Sequence, residues 1–348
     1  MRVLVTGHDG YLGRPIVDAL VRSGHEVAGL DNLMFRTTAF PAVAPSIPMR
    51  TVDIRDTTPE MFEGFEAVVH LAGIANDPLG DLNPVATVDI NRTATRHMAT
   101  MAKQAGVERF VFSSSCSLYG AHGDEFIHEE SEFRPVTPYG ESKMYAEEDL
   151  RELADDDFHP TYLRNGTVYG FSPVLRGDLV VNNLTGHAFA TGKVFLKSDG
   201  RVWRPLIHVE DIARAFRLVT EAPLEVIHDE AFNVCSTTEN YLIRDVATIV
   251  GDVVPDCELA MADGATTDAR NYRVSGDKLA QAIPAFKTRW NVKRGVEELL
   301  ESYRRYGLTI GDLEGPRFRR RKTVEELQSK GLVDGALRMA TESAAAVA

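Results

Sequence analysis

A glycine-punctuated turn near the start of the chain constrains the fold more than any other feature. Residues 2–6, Arg-Val-Leu-Val-Thr, read as a short buried strand. The run Val5-Thr6-Gly7-His8-Asp9-Gly10-Tyr11-Leu12-Gly13 then carries that strand into a helix beginning near residue 12. Gly7 permits the tight turn, Gly10 lets the backbone approach a charged ligand, and Gly13 lets the helix pack against the strand. The free N–H groups and positive end of that helix would face an anion. A glycine triplet alone is a weak signal, but in this strand–turn–helix setting it points to a pyrophosphate.

The rest of the N-terminal half repeats the alternation. Strand candidates Arg2–Thr6, Glu26–Leu30, Ala67–Leu71 and Arg109–Ser113 are separated by helix candidates near 12–23, 86–105 and 139–154. Such alternation gives right-handed βαβ units and a parallel sheet covered on both faces, an α/β doubly wound (Rossmann) architecture. From about residue 170 the pattern loosens. Gly170–Asp178 is rich in chain breakers and reads as a loop, with further short strands near 194–197 and 231–234. The expected organisation is a dinucleotide-binding domain over 1–170. Residues 171–348 would form mainly a smaller, mixed substrate-binding lobe, with some elements returning to the main sheet. The basic run Pro316–Lys322 reads as a solvated surface segment, and Ser343–Ala348 as a frayed end.

Composition narrows the function. The 348 residues are 44% hydrophobic and 26% charged, ordinary for a globular chain. A formal charge of -13 argues against a nucleic-acid or membrane-surface binder, and no apolar run is long enough to span a bilayer. The three cysteines, Cys116, Cys235 and Cys257, lack metal-ligand spacing and suggest a reducing compartment. No metal site is expected. With a strand from residue 2 there is no room for a leader, so the expectation is a soluble cytoplasmic protein.

Asp31 ends the second strand, 18 residues after Gly13. A carboxylate there accepts hydrogen bonds from ribose hydroxyls and repels a 2′-phosphate, which favours NAD over NADP, with Arg36 the nearby cation that argues the other way. Further on, Tyr139 and Lys143 stand four apart at the start of a helix behind Pro138, hence on one helix face. A neighbouring ammonium and an oxidised nicotinamide would both favour the phenolate of an otherwise weak base. The strand Arg109–Ser113 runs into Ser113-Ser114-Ser115, whose hydroxyls would emerge at the C-terminal sheet edge where such folds bind ligands. Together these elements fit one hydride-transfer site.

The combination resembles the extended short-chain dehydrogenases/reductases, specifically the NAD-dependent nucleotide-sugar epimerase/dehydratase family, over roughly residues 1–300. The motifs that carry the resemblance are Thr6-Gly-x-x-Gly-x-x-Gly13, Asp31-Asn32, Asp53-Ile54, His70-Leu71-Ala72-Gly73 and Asn91. The serine strand, Tyr139-x-x-x-Lys143 and the segment from Arg204 to Ala215 extend it. The resemblance implies that NAD is held by Gly7, Gly10, Tyr11, Leu12, Gly13, Asp31, Asn32 and Ser113, with Asp53 and Ile54 flanking the adenine. Leu71, Ala72 and Gly73 would pass the pyrophosphate, and Asn91 would support the pocket. It implies Ser115 as the catalytic hydroxyl, Tyr139 as general base, and Lys143 as its partner and a ligand of the nicotinamide ribose. Asn183, Leu184, Arg204 and Arg270 would contact the nucleotide diphosphate, and a homodimer would form through a four-helix bundle built from the helices near 86–105 and 139–154.

Two departures narrow the reaction. Dehydratases of this family carry Asp-Glu after the catalytic hydroxyl, where this chain has Cys116 and Ser117, so elimination is disfavoured. Thr167 stands where UDP-glucose 4-epimerases have a substrate-binding Asn, which leaves the sugar and the base open. The expected activity is C4 inversion of a nucleotide-diphosphate sugar through a 4-ketone. A 4-ketoreductase and a 3,5-epimerase are the nearest alternatives, and a non-catalytic NAD-binding sensor is an alternative of another class. Cys116 reads first as a small buried hydrophobe. Residues 310–340 match no epimerase segment.

Overall fold

A computed structural model describes residues 1–42, 46–266 and 271–340. Among these, a seven-stranded parallel sheet runs in the spatial order Glu230–Val234, His159–Asn165, Arg109–Ser115, Ala67–His70, Arg2–Thr6, Glu26–Asp31, Met49–Thr51. The chain builds outward from Arg2–Thr6 in one direction and then returns to build in the other. Ligands bind such sheets at the crevice created by that reversal, outside the strand C-termini.

Side chains alternate across each strand, so successive residues feed two different cores. Val3 and Val5 join a cluster with Ile16, Leu20, Ile212 and Phe216, beneath the helices Gly13–Arg22 and Val209–Glu221. Leu4, Val68, Phe110 and Phe112 face the other way, against Met98, Ala99, Ala146 and Leu150 of the helices Ala94–Gln104 and Pro138–Arg151. A strand buried on both faces reads as a continuous apolar run, which is why Arg2–Thr6, Ala67–His70 and Arg109–Ser115 stand out in the sequence.

The helix expected over 86–105 is interrupted: Pro84–Val88 and Ala94–Gln104 are joined by a single π-helical turn, Asp89–Thr93, which carries Asn91. The strand expected near 231–234 is the edge strand of the main sheet, and that near 194–197 is Lys193–Ser198, paired parallel with Glu258–Thr266. His159–Asn165, a central strand, carries Pro160, Arg164 and Asn165 and gives no apolar signature. The basic segment corrects an expectation: Phe318 and Arg320 are buried, Arg320 with 5% of its surface exposed. Ser343–Ala348 and Arg270 lie outside the described residues.

Candidate active site

One cavity of about 700 Å³ opens at the C-terminal end of the sheet. The glycine turn forms its floor. Gly7 has φ +68°, and a Cβ there would lie 2.7 Å from the Ala72 amide nitrogen. At Gly13 a Cβ would lie 2.1 Å from the Gly7 carbonyl oxygen, so the helix can sit this close only without a side chain. The cavity is lined by Gly7, Gly10, Tyr11, Leu12, Gly13, Asp31, Asn32, Asp53, Ile54, Leu71, Ala72, Gly73 and Ser113, as the sequence motifs anticipated.

Asp31 accepts hydrogen bonds from the amides of Leu33 (2.8 Å) and Asp9 (3.1 Å). Burial pushes its carboxyl up, and these donors counter that by favouring the charged form. Arg36, the cation that argued for NADP, donates instead to Asp9 at 3.1 Å. Asp53 is gripped by Arg55 (2.6 Å), which holds its carboxyl below the ordinary range despite burial. Asn91 does not line the cavity. It accepts from the Ile74 amide and donates to the Ile74 carbonyl (2.7 and 3.0 Å), and it also donates to Ser142 Oγ (3.0 Å). It thereby ties the loop beyond the fourth strand to the helix Pro138–Arg151. His70 bridges Thr6 and Thr95 (2.7 and 2.9 Å), and burial holds its imidazole neutral.

Ser115, Tyr139 and Lys143 meet on one wall. Thr137 caps the helix by accepting from the Gly140 amide at 3.2 Å, and Pro138 takes the first helical position, where no N–H is needed. Tyr139 and Lys143 consequently face the strand end together. Burial pushes the Tyr139 phenol up to about 12, offset by a hydrogen bond with Ser115 and by the charge of Arg176, while Asp77 adds to the rise. Lys143 donates to the Ser113 carbonyl at 2.8 Å and lies 4.5 Å over the Phe112 ring. Burial brings its ammonium down to about 7, partly countered by Glu147 one turn further along. The geometry thus brings together a phenol, a hydroxyl hydrogen-bonded to it and an amine whose pKa burial brings to about 7.

A buried ion pair supports this wall. Arg164 and Glu147 meet at 2.7 Å with 2% and 1% exposure. Ser114 Oγ donates to Glu147, and Arg164 also reaches Tyr119 Oη at 2.9 Å. Cys116 points into this layer and not into the cavity: its thiol donates to the Arg164 carbonyl (3.2 Å) and burial raises its pKa, so it is no acid/base.

Asn183, Leu184 and Arg204 line the far side of the cavity. Arg204 donates to the Trp203 carbonyl at 2.8 Å and lies 5.5 Å over the Tyr272 ring. Asp211 accepts from the Arg289 and Trp290 amides and from Arg214, and Glu210 accepts from the Trp290 indole. Sequence reasoning missed Asp77, Arg176, Asp178, Arg320 and Leu337, which also line the cavity. Arg176 pairs with Asp178 at 2.8 Å and donates to the Ala75 carbonyl at 3.2 Å. Among the described residues no group of three or more His, Cys, Asp or Glu could hold a metal ion, and no helix is long and apolar enough to cross a membrane.

Residues 3–235 match the model of the NAD dependent epimerase/dehydratase family. The chain belongs to that family. It is 27% identical over 328 residues to a UDP-glucose 4-epimerase of Bacillus subtilis (strain 168), covering 86% of this chain and 94% of that protein. It is 24% identical over 314 residues to UDP-glucuronic acid decarboxylase 6 of Arabidopsis thaliana, covering 87% and 89%. The structure of MoeE5 in complex with UDP-glucuronic acid and NAD superimposes with a TM-score of 0.76 at 25% identity, over 88% of this chain and 99% of that one. Relatives with epimerase and decarboxylase names thus share one scaffold. The cofactor is NAD, and the residues present fit it: a glycine floor with no room for side chains, a half-buried acid at the end of the strand Glu26–Asp31 held by amides, and the Tyr/Lys wall.

Proposed function

We propose that this enzyme is a nucleotide-sugar 4-epimerase working through a transient 4-ketone. The observation that carries the reading is the meeting of Ser115, Tyr139 and Lys143 on one cavity wall, with a buried thiol and a serine at 116 and 117. Those two positions carry no carboxyl group, and the nearby acids are engaged, Asp77 by the Thr137 hydroxyl and Asp178 by Arg176, which disfavours elimination of water from the ring. Tyr139 takes the proton of the sugar 4-hydroxyl, and Ser115 hydrogen-bonds the same oxygen. Bound NAD supplies the hydride acceptor for C4 and the donor for its return. With a phenol at about 12, the proton transfer needs positive charge nearby; Arg176 already acts on Tyr139 in this way, and Lys143, one turn along the same helix, would add to it when protonated. Asn183, Leu184 and Arg204 hold the nucleotide diphosphate while the ketosugar turns, so that the hydride returns to the opposite face of C4.

In the same reading, residues 1–170 hold mainly the cofactor and 171–348 mainly the sugar nucleotide, and the protein works in the cytoplasm as a homodimer. Exposed apolar residues on the two expected bundle helices, Val85 (80%) and Tyr145 (36%), favour a covered face there. Sizing that gave only monomer at micromolar concentration would remove the dimer.

The test is turnover of UDP-, GDP-, CDP- and dTDP-sugars by the purified protein with no added cofactor. UDP-sugars come first because of the relatives named above. The expected result is a C4 epimer with no net redox change. A stoichiometric demand for NADH would replace the reading with a 4-ketoreductase, C3/C5 solvent exchange with a 3,5-epimerase, and NAD binding without any turnover with a sensor.

A further inference from the structure

We infer that Arg320, brought back over the cavity by the C-terminal segment, is a ligand of the cofactor's pyrophosphate. The inference rests on NAD as the bound cofactor and goes beyond the catalytic reading, since it concerns a segment with no matching motif. In the basic run each of three neighbours has an acidic partner: Arg317 pairs with Asp312 (3.1 Å), Arg319 with Glu314 (2.5 Å) and Arg321 with Glu325 (2.8 Å). Arg320 turns inward. Its hydrogen bonds go to neutral oxygens at long range, Thr38 Oγ1 at 3.2 Å and the Val174 carbonyl at 3.3 Å, and it lies 4.1 Å over the Phe35 ring. Among the described residues no carboxylate comes within ion-pair distance of it.

A guanidinium keeps its proton, so burying one without an anion is costly and implies that the protein meets that anion in use. Burial and the charge of Arg176 pull Arg320 down to about 9, only partly offset by Asp178 and Asp31. An anion lying between the two arginines would relieve both the desolvation and the repulsion, and a diphosphate matches the arginine fork. Two diphosphates belong to this cavity, the cofactor's and the sugar nucleotide's. Phe35 and Thr38 follow directly on the ribose-side acid Asp31, which puts Arg320 on the cofactor's side. The segment is also anchored there: Arg55 donates to the carbonyls of Ala336 (2.7 Å) and Leu337 (3.3 Å), and Arg338 reaches Asp56 (2.6 Å).

The test compares wild type, Arg320→Met and Arg320→Lys after removal of bound nucleotide, titrating each with NAD, ADP, adenosine and UDP by calorimetry. Loss of a charged hydrogen bond to phosphate predicts about 10- to 100-fold weaker NAD and ADP binding in Arg320→Met. Adenosine binding should be unchanged and Arg320→Lys should recover part of the loss. Should Arg320→Met not fold, hydrogen exchange over residues 316–323 of the wild type gives the same information. Saturating ADP should slow exchange there and saturating adenosine should not. Equal NAD affinity in a folded Arg320→Met, or exchange indifferent to ADP, overturns the inference. Weakened UDP binding with NAD intact also overturns it, by assigning Arg320 to the substrate's diphosphate.

Discussion

The two walls of the cavity are built on different principles. On the wall made by residues 7 to 143, named polar groups are already satisfied by the protein. Asp31 is held by two amides and Lys143 by a carbonyl, and in the layer behind them His70 is held by two threonines and Asn91 by Ile74 and Ser142. On the wall made by residues 176 to 337, Arg320 rests on two long bonds to neutral oxygens. The first wall is a preorganised surface whose geometry stays fixed during reaction, as acid–base chemistry requires. On the second, Arg176 and Asp178 already satisfy each other, while Arg320 would be completed by the inferred anion, so binding and local order should be coupled at Arg320.

The largest effect that could break this contrast is at Tyr139. Tyr139→Phe removes the proton acceptor and nothing that holds the fold, so turnover should fall about 1000-fold while NAD stays bound. NAD loss in this variant, read by absorbance of the purified protein, would mean that the first wall also depends on its ligand. Next in size is the buried pair beneath that wall. Arg164→Met leaves Glu147 as an uncompensated buried charge and should cost about 3–5 kcal/mol in urea unfolding. Adding Glu147→Leu should recover most of it, because removing both partners removes the desolvation penalty. If the double variant were as unstable as the single one, the pair would matter through shape and not through charge.

How much of this was legible in the sequence follows the same division. The glycine turn, Asp31 and the Tyr139/Lys143 pair are each encoded within a dozen residues, and their spacing alone fixes their mutual geometry. The strands expected in the N-terminal half, and those near 194–197 and 231–234, coincide with short apolar runs. His159–Asn165 escaped because its polar residues are paid for by distant partners: Arg164 by Glu147, Asn165 by Ser113 at 3.0 Å. Arg320 escaped for a related reason. A run of five cations looks solvated unless it is known that Phe318 buries beside Phe40 (4.7 Å between rings) and pulls the segment inward. Such contacts join residues nearly 280 apart, and no local pattern announces them. Cys116 was read correctly as buried, yet its partner, the Arg164 carbonyl, was not foreseeable.

A smaller, pH-dependent effect sharpens the account of the first wall. Lys143 is depressed from 10.5 to about 7 by burial. Between those values the unfolded chain binds more protons than the folded one, so this group makes stability rise with pH. In NAD-free protein, the stability of wild type relative to Lys143→Met should therefore increase from pH 7 to 9, by up to about 1.4 kcal/mol per unit. A flat difference would mean that the ammonium is solvated and the wall less dry than its burial indicates.

The smallest effect tests the second wall at Leu337. This residue is fully buried at the Ile54–Arg55 end of the cavity, yet its φ is +58°, a left-handed conformation that costs a branched side chain energy. The strain is held by neighbours: Asp334 accepts from the amides of Ala336 (2.9 Å) and Arg338 (2.8 Å), and Arg55 clamps the carbonyls. Leu337→Ala loses the packing and keeps the strain, whereas Leu337→Gly loses the packing and releases it. If order in this segment is coupled to NAD, both variants should bind NAD more weakly than wild type. Leu337→Gly should lose less, by about fivefold, corresponding to about 1 kcal/mol of strain. Equal affinities in the two variants would show that the segment's conformation is set before NAD arrives, and the second wall would then be as preorganised as the first.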